Sequence, residues 1–281
     1  FKAADSTPLT PASVANALTT IDTNVVEAPR TRLVIRDLFG AEVISGSALE
    51  YYVERAMEGS PAVTPEGTLK PQIHFADPTK HTVTLDKIAE FIKESDEYIA
   101  DAPFLAAAIN GRRLYQLFLA EQNYLVEKLV NTSGIQTDTT SWTASIKAAE
   151  LADIIFGACT DVDSASVYAA DAIVMHPATW KIIRLGKDNN GQYYGGGYFA
   201  DGQGKTLWGV PVVTTTAVTA SQIIVGAFKT CGSVVSKGGY KVEATNTDKD
   251  DFEKNLITIR ADERLALAVR RPAGFKLITK A

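Results

Sequence analysis

The stretch "DFEKNLITIRADERLALAVRRPAGF", residues 251–275, reads as one long extended segment. Leu265, Leu267 and Val269 alternate with Ala266, Ala268 and Arg270, the period-2 pattern of a sheet with one buried face. The same run carries Asn255, the acidic pair Asp262 and Glu263, and the arginines Arg260, Arg264, Arg270 and Arg271, where a plain core strand would carry more valine and isoleucine. These arginines are expected to form ion pairs with acidic residues inside the chain or across its contacts, because the planar guanidinium matches a carboxylate in two parallel hydrogen bonds.

Working outward, residues 1–31 are rich in Thr, Ala and Pro without a sustained period, which predicts an extended arm that needs a partner to be ordered. From Leu33, "RLVIRDLF" is strand-like. "SALEYYVER" and "HTVTLDKIAEFIK" then read as two strands bracketing a turn-rich tip from Gly59 to Pro78, a long hairpin with too few apolar residues to bury itself. Asp101 as N-cap and Pro103 in the first turn predict a long helix that runs to Asn131 and Gly134, with Leu114, Leu117, Phe118, Leu125 and Leu129 on the face that packs on a sheet. A second helix is expected over "SWTASIKAAELADIIFGACT" with Ser141 as its cap. "AADAIVMHPATWKIIRL" reads as a buried strand, a turn at His176 and Pro177, and a short helix. Residues 186–204 form a Gly-rich loop, and "TLWGVPVV" and "QIIVGAF" are short strands. Helices and strands interleave without a βαβ rhythm, which is α+β.

The usual chemical signatures fail in turn. "DGQGKT" ends like a phosphate-binding loop at Gly204-Lys205-Thr206, but Phe199 stands where that motif needs a glycine, and the segment opens onto a strand instead of a helix N-terminus. His74, His81 and His176 are too scattered for a metal site, and Cys159 and Cys231 form neither a CxxC nor a disulfide framework. "TDKDDFEKN" lacks the glycine of a calcium loop and reads as a solvated acidic turn. A net charge of −5 argues against dense nucleic-acid binding, and no apolar run approaches the about 18 residues of a membrane span. No cofactor is called for, and a structural or interaction protein is favoured over an enzyme.

"RLVIRDLF", "ALEYYVER", "EGTLKP", "SDEYIADAPFLAAAINGRRLYQLFLAEQNYLV", "VMHPATWKIIRLGKDNNGQY", "LWGVPVV" and "DDFEKNLITIRADERLALAVRRPAGF" follow one another in an order that resembles the major capsid proteins of tailed bacteriophages with the Hong Kong 97-type fold. The resemblance implies an N-terminal arm and leading strand at 1–40, an extended hairpin called the E-loop at 41–82, and a peripheral domain with a spine helix at 83–133. It further implies an axial domain at 134–233, peripheral return strands at 234–268, and a C-terminal segment at 269–281 that returns to the axial domain. The function it implies is a subunit of pentamers and hexamers in an icosahedral shell. The shell is part of the virion and is assembled in the host cytoplasm. Its implied partners are copies of the same chain, a portal protein, a maturation protease, a decoration protein in some members, and packaged double-stranded DNA held by weak non-specific contact. A chain that opens on Phe1 is what removal of an N-terminal scaffold by the protease would leave; a trimmed chain would look the same. The Gly-rich loop 186–204 is expected where subunits converge on symmetry axes. An encapsulin-type bacterial nanocompartment shell is the alternative of the same fold.

The resemblance also implies a reaction. In some members an E-loop lysine attacks an asparagine of a neighbour, releasing ammonia and leaving an isopeptide bond, with an acidic residue as base. The lysine's context is matched by Leu69-Lys70-Pro71, the asparagine's by Phe252-Glu253-Lys254-Asn255, and the base position by Asp262, one methylene shorter than the family's glutamate. Glu263, beside it, points to the opposite face of a strand. The other reading leaves Lys70 a solvated lysine at the hairpin tip and Asn255 the residue that opens a strand.

Overall fold

The computed structural model describes residues 29–97, 103–142, 146–188, 190–194 and 204–280. The expected arm up to residue 28, the cap at Asp101, Phe199 and most of the Gly-rich loop lie outside them.

A 3-10 turn at Arg36–Leu38 leads into β1 (Gly40–Val43), β2 (Ala48–Val53), β3 (Thr79–Thr84) and β4 (Asp86–Ser95). The long helix α1 (Pro103–Val130) is followed by β5 (Gln136–Trp142), α2 (Ala148–Ser166), β6 (Ala172–Met175) and α3 (Pro177–Arg184). Then come β7 (Thr206–Leu207), β8 (Val210–Thr214), β9 (Gln222–Gly226), α4 (Phe228–Cys231), β10 (Gly232–Thr245), β11 (Leu256–Val269) and β12 (Phe275–Lys280). They make three sheets: a four-stranded one ordered β1-β10-β11-β4, a six-stranded one ordered β5-β12-β9-β6-β8-β7, and the hairpin β2-β3.

The opening stretch is β11, the centre of the long sheet, antiparallel to both β10 and β4. Its outer half alternates as expected, with Ile259, Ala261 and Glu263 inward and Arg260 and Arg264 exposed. Its inner half does not: all of Leu265 to Val269 is buried, because there the sheet is covered on both faces and the alanines are inside as well as the leucines. The change falls at an irregularity in β10, where Ser236 pairs Leu265 but Tyr240 pairs Glu263. Gly238 and Gly239 hold the φ of +74° and +68° that this bulge requires.

Beneath the sheet lies α1. Leu117, Leu125 and Leu129 are buried on the expected face, and the helix ends before Gly134 at φ +89°. The apolar pattern understates that face, for Arg113, Glu121 and Gln122 are buried on it too. Leu125 and Leu129 join Phe39, Val174, Phe228, Leu265 and Phe275 in one core that ties the two larger sheets together. Phe39, Phe228 and Phe275 meet at ring centroids 5.2–6.4 Å apart.

Four local expectations are corrected. "RLVIRDLF" is irregular chain and a 3-10 turn, because its backbone turns inward to bring Ile35 and Phe39 into the core. "HTVTLDKIAEFIK" is two strands, β3 in the hairpin and β4 in the long sheet, separated at Leu85. Ser141 lies within β5; the adjacent Trp142 is buried in a second core with Leu151, Ile173 and Ile278, which draws this segment into the sheet, and α2 starts at Ala148 with Lys147 at its N-cap position. "TLWGVPVV" is a tight hairpin, with Trp208 at φ +55° and Gly209 at φ +82° forming its turn. His176 meets its expectation at the start of α3, its Nδ1 accepting from the Ala178 amide at 3.1 Å.

Candidate functional site

The residues singled out by sequence occupy three places. Lys70 is exposed on the hairpin, beyond the last β2–β3 pair at Val53 and Thr79. A bridge between Glu58 and His74 and a turn in which the Thr68 N–H and hydroxyl both donate to the Pro65 carbonyl organise the described backbone around it. Leu69 is 96% exposed and Val63 100%, and Met57 and Phe75 are also exposed.

Asn255 stands at the other end of the molecule's sheet, at φ +51° immediately before β11. Its carbonyl accepts the Asp96 amide at 2.9 Å, and its side-chain Nδ2 donates to Glu97 Oε1 at 3.1 Å. The turn before it is clamped. Asp251 has no exposed surface and accepts from Lys93 at 2.5 Å and from the Thr258 hydroxyl. Its main-chain oxygen accepts from Lys254 and Leu256. These side-chain hydrogen bonds, Lys93 first and Thr258 second, hold the Asp251 carboxyl below the usual range. The acidic turn is therefore not merely solvated, as its composition predicts; one of its carboxylates is an internal anchor. A groove of about 510 Å³ opens beside Asn255, between the β10–β11 connection and Asp96.

Asp262 lies on β11 between Lys241 and Ala89, with its carboxylate 3.2 Å from Lys87 and its side chain 15% exposed. Seven residues at a strand's rise separate it from Asn255 by about 23 Å, so the two cannot share a proton within one chain. The structure thus keeps Lys70, Asn255 and Asp262 apart in a single chain.

Glu263 faces the other way, as alternation predicts. It is 2% exposed and shares Arg36 with Glu121: the Arg36 Nη1 atom is 3.0 Å from Glu263 and 2.8 Å from Glu121. Burial first, and the Glu263 charge second, push the Glu121 carboxyl up to about 7 against the pull of Arg36. The cluster pins the turn at 36–38 to α1 and β11 at once. Arg260 pairs with Glu243, Arg270 with Glu42 at 2.5 Å, and Arg271 lies over the Tyr168 ring.

Glu97, the Asp251 anchor and the Arg36 cluster are absent from the sequence reading. Apart from Thr258, seven residues from Asp251, their side-chain partners are 85 to 227 residues apart in the chain, and no local spacing marks them. The phosphate-loop fragment stays inert in its surroundings: Lys205 Nζ donates to Thr214 Oγ1 at 2.8 Å and Thr206 opens β7. Among the described residues no cluster of His, Cys, Asp and Glu is placed to hold a metal ion, and no helix is long and apolar enough to cross a membrane.

A long sheet braced by one long helix, a second sheet sharing the same core, and a projecting hairpin together define the shell-subunit fold of viral capsids. Residues 17–280 match the phage capsid family, and the chain belongs to that family. It is 37% identical over 248 residues to the major capsid protein of Enterobacteria phage HK97, covering 86% of this chain and 64% of that protein, so it spans less than two thirds of that relative's length. The structure of the capsid of an empty GTA particle superposes with a TM-score of 0.78 at 16% identity, covering 99% of this chain and 100% of that one. That of Microbacterium phage Oxtober96 gives 0.76 at 14% identity, covering 98% and 100%. The fold is the Hong Kong 97-type capsid fold.

Proposed function

We propose that this chain is a major capsid protein that self-assembles as pentamers and hexamers into an icosahedral shell enclosing phage double-stranded DNA. The observation that carries this reading is the hairpin. Met57, Val63, Leu69 and Phe75 sit exposed on a projection that the other described residues do not cover. Burying such side chains is worth about 1.5–3 kcal/mol each, and a neighbouring copy is the surface that can supply it. In the shell, residues 1–40 serve as the arm, 41–82 as the E-loop, 83–133 and 234–268 as the peripheral domain, and 134–233 with 269–281 as the axial domain. A portal protein, a maturation protease and a decoration protein are the partners such a shell takes in the host cytoplasm, and its net charge of −5 keeps packaged DNA from adhering to the wall. Light scattering with negative-stain imaging tests assembly: megadalton shells are expected, and a persistent monomer under assembly conditions would overturn the reading.

The same shell brings the separated residues together. Lys70 of one copy attacks Asn255 of a second, and because Asp262 lies about 23 Å along the strand from its own Asn255, the Asp262 that assists comes from a different copy than the acceptor. Boiled mature shells are expected to run as covalent oligomers on a denaturing gel, and K70A to run as monomer.

A further inference from the structure

We propose that Glu97 is a catalytic residue of the Lys70–Asn255 crosslink, carrying protons from the attacking lysine nitrogen to the departing amide nitrogen; this rests on the crosslink reading. Of the acceptor's own chain, Glu97 is the carboxylate that touches a reacting atom, its Oε1 lying 3.1 Å from Asn255 Nδ2. That nitrogen is the one that leaves.

The reaction's proton balance calls for a group in that place. A lysine ammonium and a primary amide become a secondary amide and an ammonium ion. The Nζ–Cγ bond forms, the Cγ–Nδ2 bond breaks, two protons leave Nζ, and two arrive on Nδ2. A tetrahedral intermediate expels an amide nitrogen only once that nitrogen is protonated, since the bare amide anion is too basic to depart. A carboxylate already bonded to Nδ2 can take a proton from the incoming Nζ and deliver it to Nδ2 without moving far. The N–H bonds of an amide lie in its plane, so an acceptor such as Glu97 leaves the faces of the carbonyl carbon open to attack.

The local structure holds the pair in register. Asn255 is fixed at φ +51° by the turn anchored on Asp251, and its carbonyl accepts the Asp96 amide, one residue before Glu97. Asn255 and Glu97 are both exposed, so a neighbour's lysine can reach them. Asp262, by contrast, is engaged with Lys87 of its own chain at 3.2 Å and is a methylene shorter than the family's glutamate. Glu97 supplies the proton handling that this shortened group delivers poorly.

The test compares the rate at which imaged, fully assembled shells of wild type, E97Q, E97D, D262N and K70A convert to covalent oligomers, with ammonia release as a second readout. E97Q keeps the shape and the hydrogen bond but cannot carry a proton; it is expected to slow crosslinking by about 100-fold or more, with E97D intermediate and D262N less impaired than E97Q. A wild-type ladder matched in rate and in ammonia release by E97Q overturns the role of Glu97 and leaves the crosslink standing. Monomer bands from wild-type shells, indistinguishable from K70A, overturn the crosslink and Glu97 together. Should E97Q fail to assemble, the E97D rate decides: a rate equal to wild type overturns the proposal.

Discussion

Replacing Arg36 by methionine removes the one guanidinium shared by two interior carboxylates. The side chains of Glu121 and Glu263 are 4% and 2% exposed, and Glu263 Oε2 has no hydrogen-bond partner among the described residues. Stripping the partner from a buried charge pair costs about 3–5 kcal/mol; the 41% exposure of the Arg36 side chain places the loss near about 3 kcal/mol. At about 2–4 °C per kcal/mol the melting temperature should drop by about 6–12 °C. The loss must also depend on pH. Burial raises the folded-state affinity of Glu121 for its proton to a pKa of about 7, above the unfolded value. The stability it contributes is therefore fully present below the unfolded value and declines as pH rises through the folded one. Without Arg36 the Glu121 carboxyl holds its proton more tightly, so R36M should be most destabilised at about pH 8 and markedly less at about pH 5.5. Scanning calorimetry of the purified chain at both pH values checks this. A melting temperature within about 2 °C of wild type at pH 8, or an equal drop at both, would refute the argument that Arg36 compensates two buried charges.

Three further outcomes are expected. D251N should weaken the anchor that fixes the turn before Asn255 and slow crosslinking by about tenfold in shells that still assemble, read on a denaturing gel. Because hydrogen bonds from Lys93 and Thr258 depress the Asp251 carboxyl, wild type keeps this anchor above the ordinary carboxylate range and loses it as pH falls through the depressed value, which hydrogen exchange at Leu256 and Lys254 should report. G226A should destabilise the chain by about 1–3 kcal/mol in thermal unfolding, since the new methyl would stand 2.4 Å from the Phe275 ring and 3.0 Å from the Gly274 carbonyl.

Much of the fold was legible because it rests on local chemistry. Pro103 and the leucine spacing announce the long helix, and the Gly59–Pro78 punctuation announces the hairpin. The misreadings share a cause. β3 and β4 are continuous in sequence but belong to different sheets, and no residue near Leu85 carries that information. Ser141 has the chemistry of a cap, yet the burial of Trp142 against a distant part of the chain makes the segment a strand.

The sequence by itself determined the long helix, the hairpin and most of the strands, the family resemblance, and the candidacy of Lys70, Asn255 and Asp262, since these depend on neighbours in the chain. Only the tertiary structure decided what each polar side chain meets. It buried Asp251 within an acidic turn, paired Asp262 with Lys87, joined Arg36 to two carboxylates from α1 and β11, and set Glu97 on the amide nitrogen of Asn255. Charge and hydrogen bonding act through space over a few ångströms, and chain order does not record which residues folding brings that close.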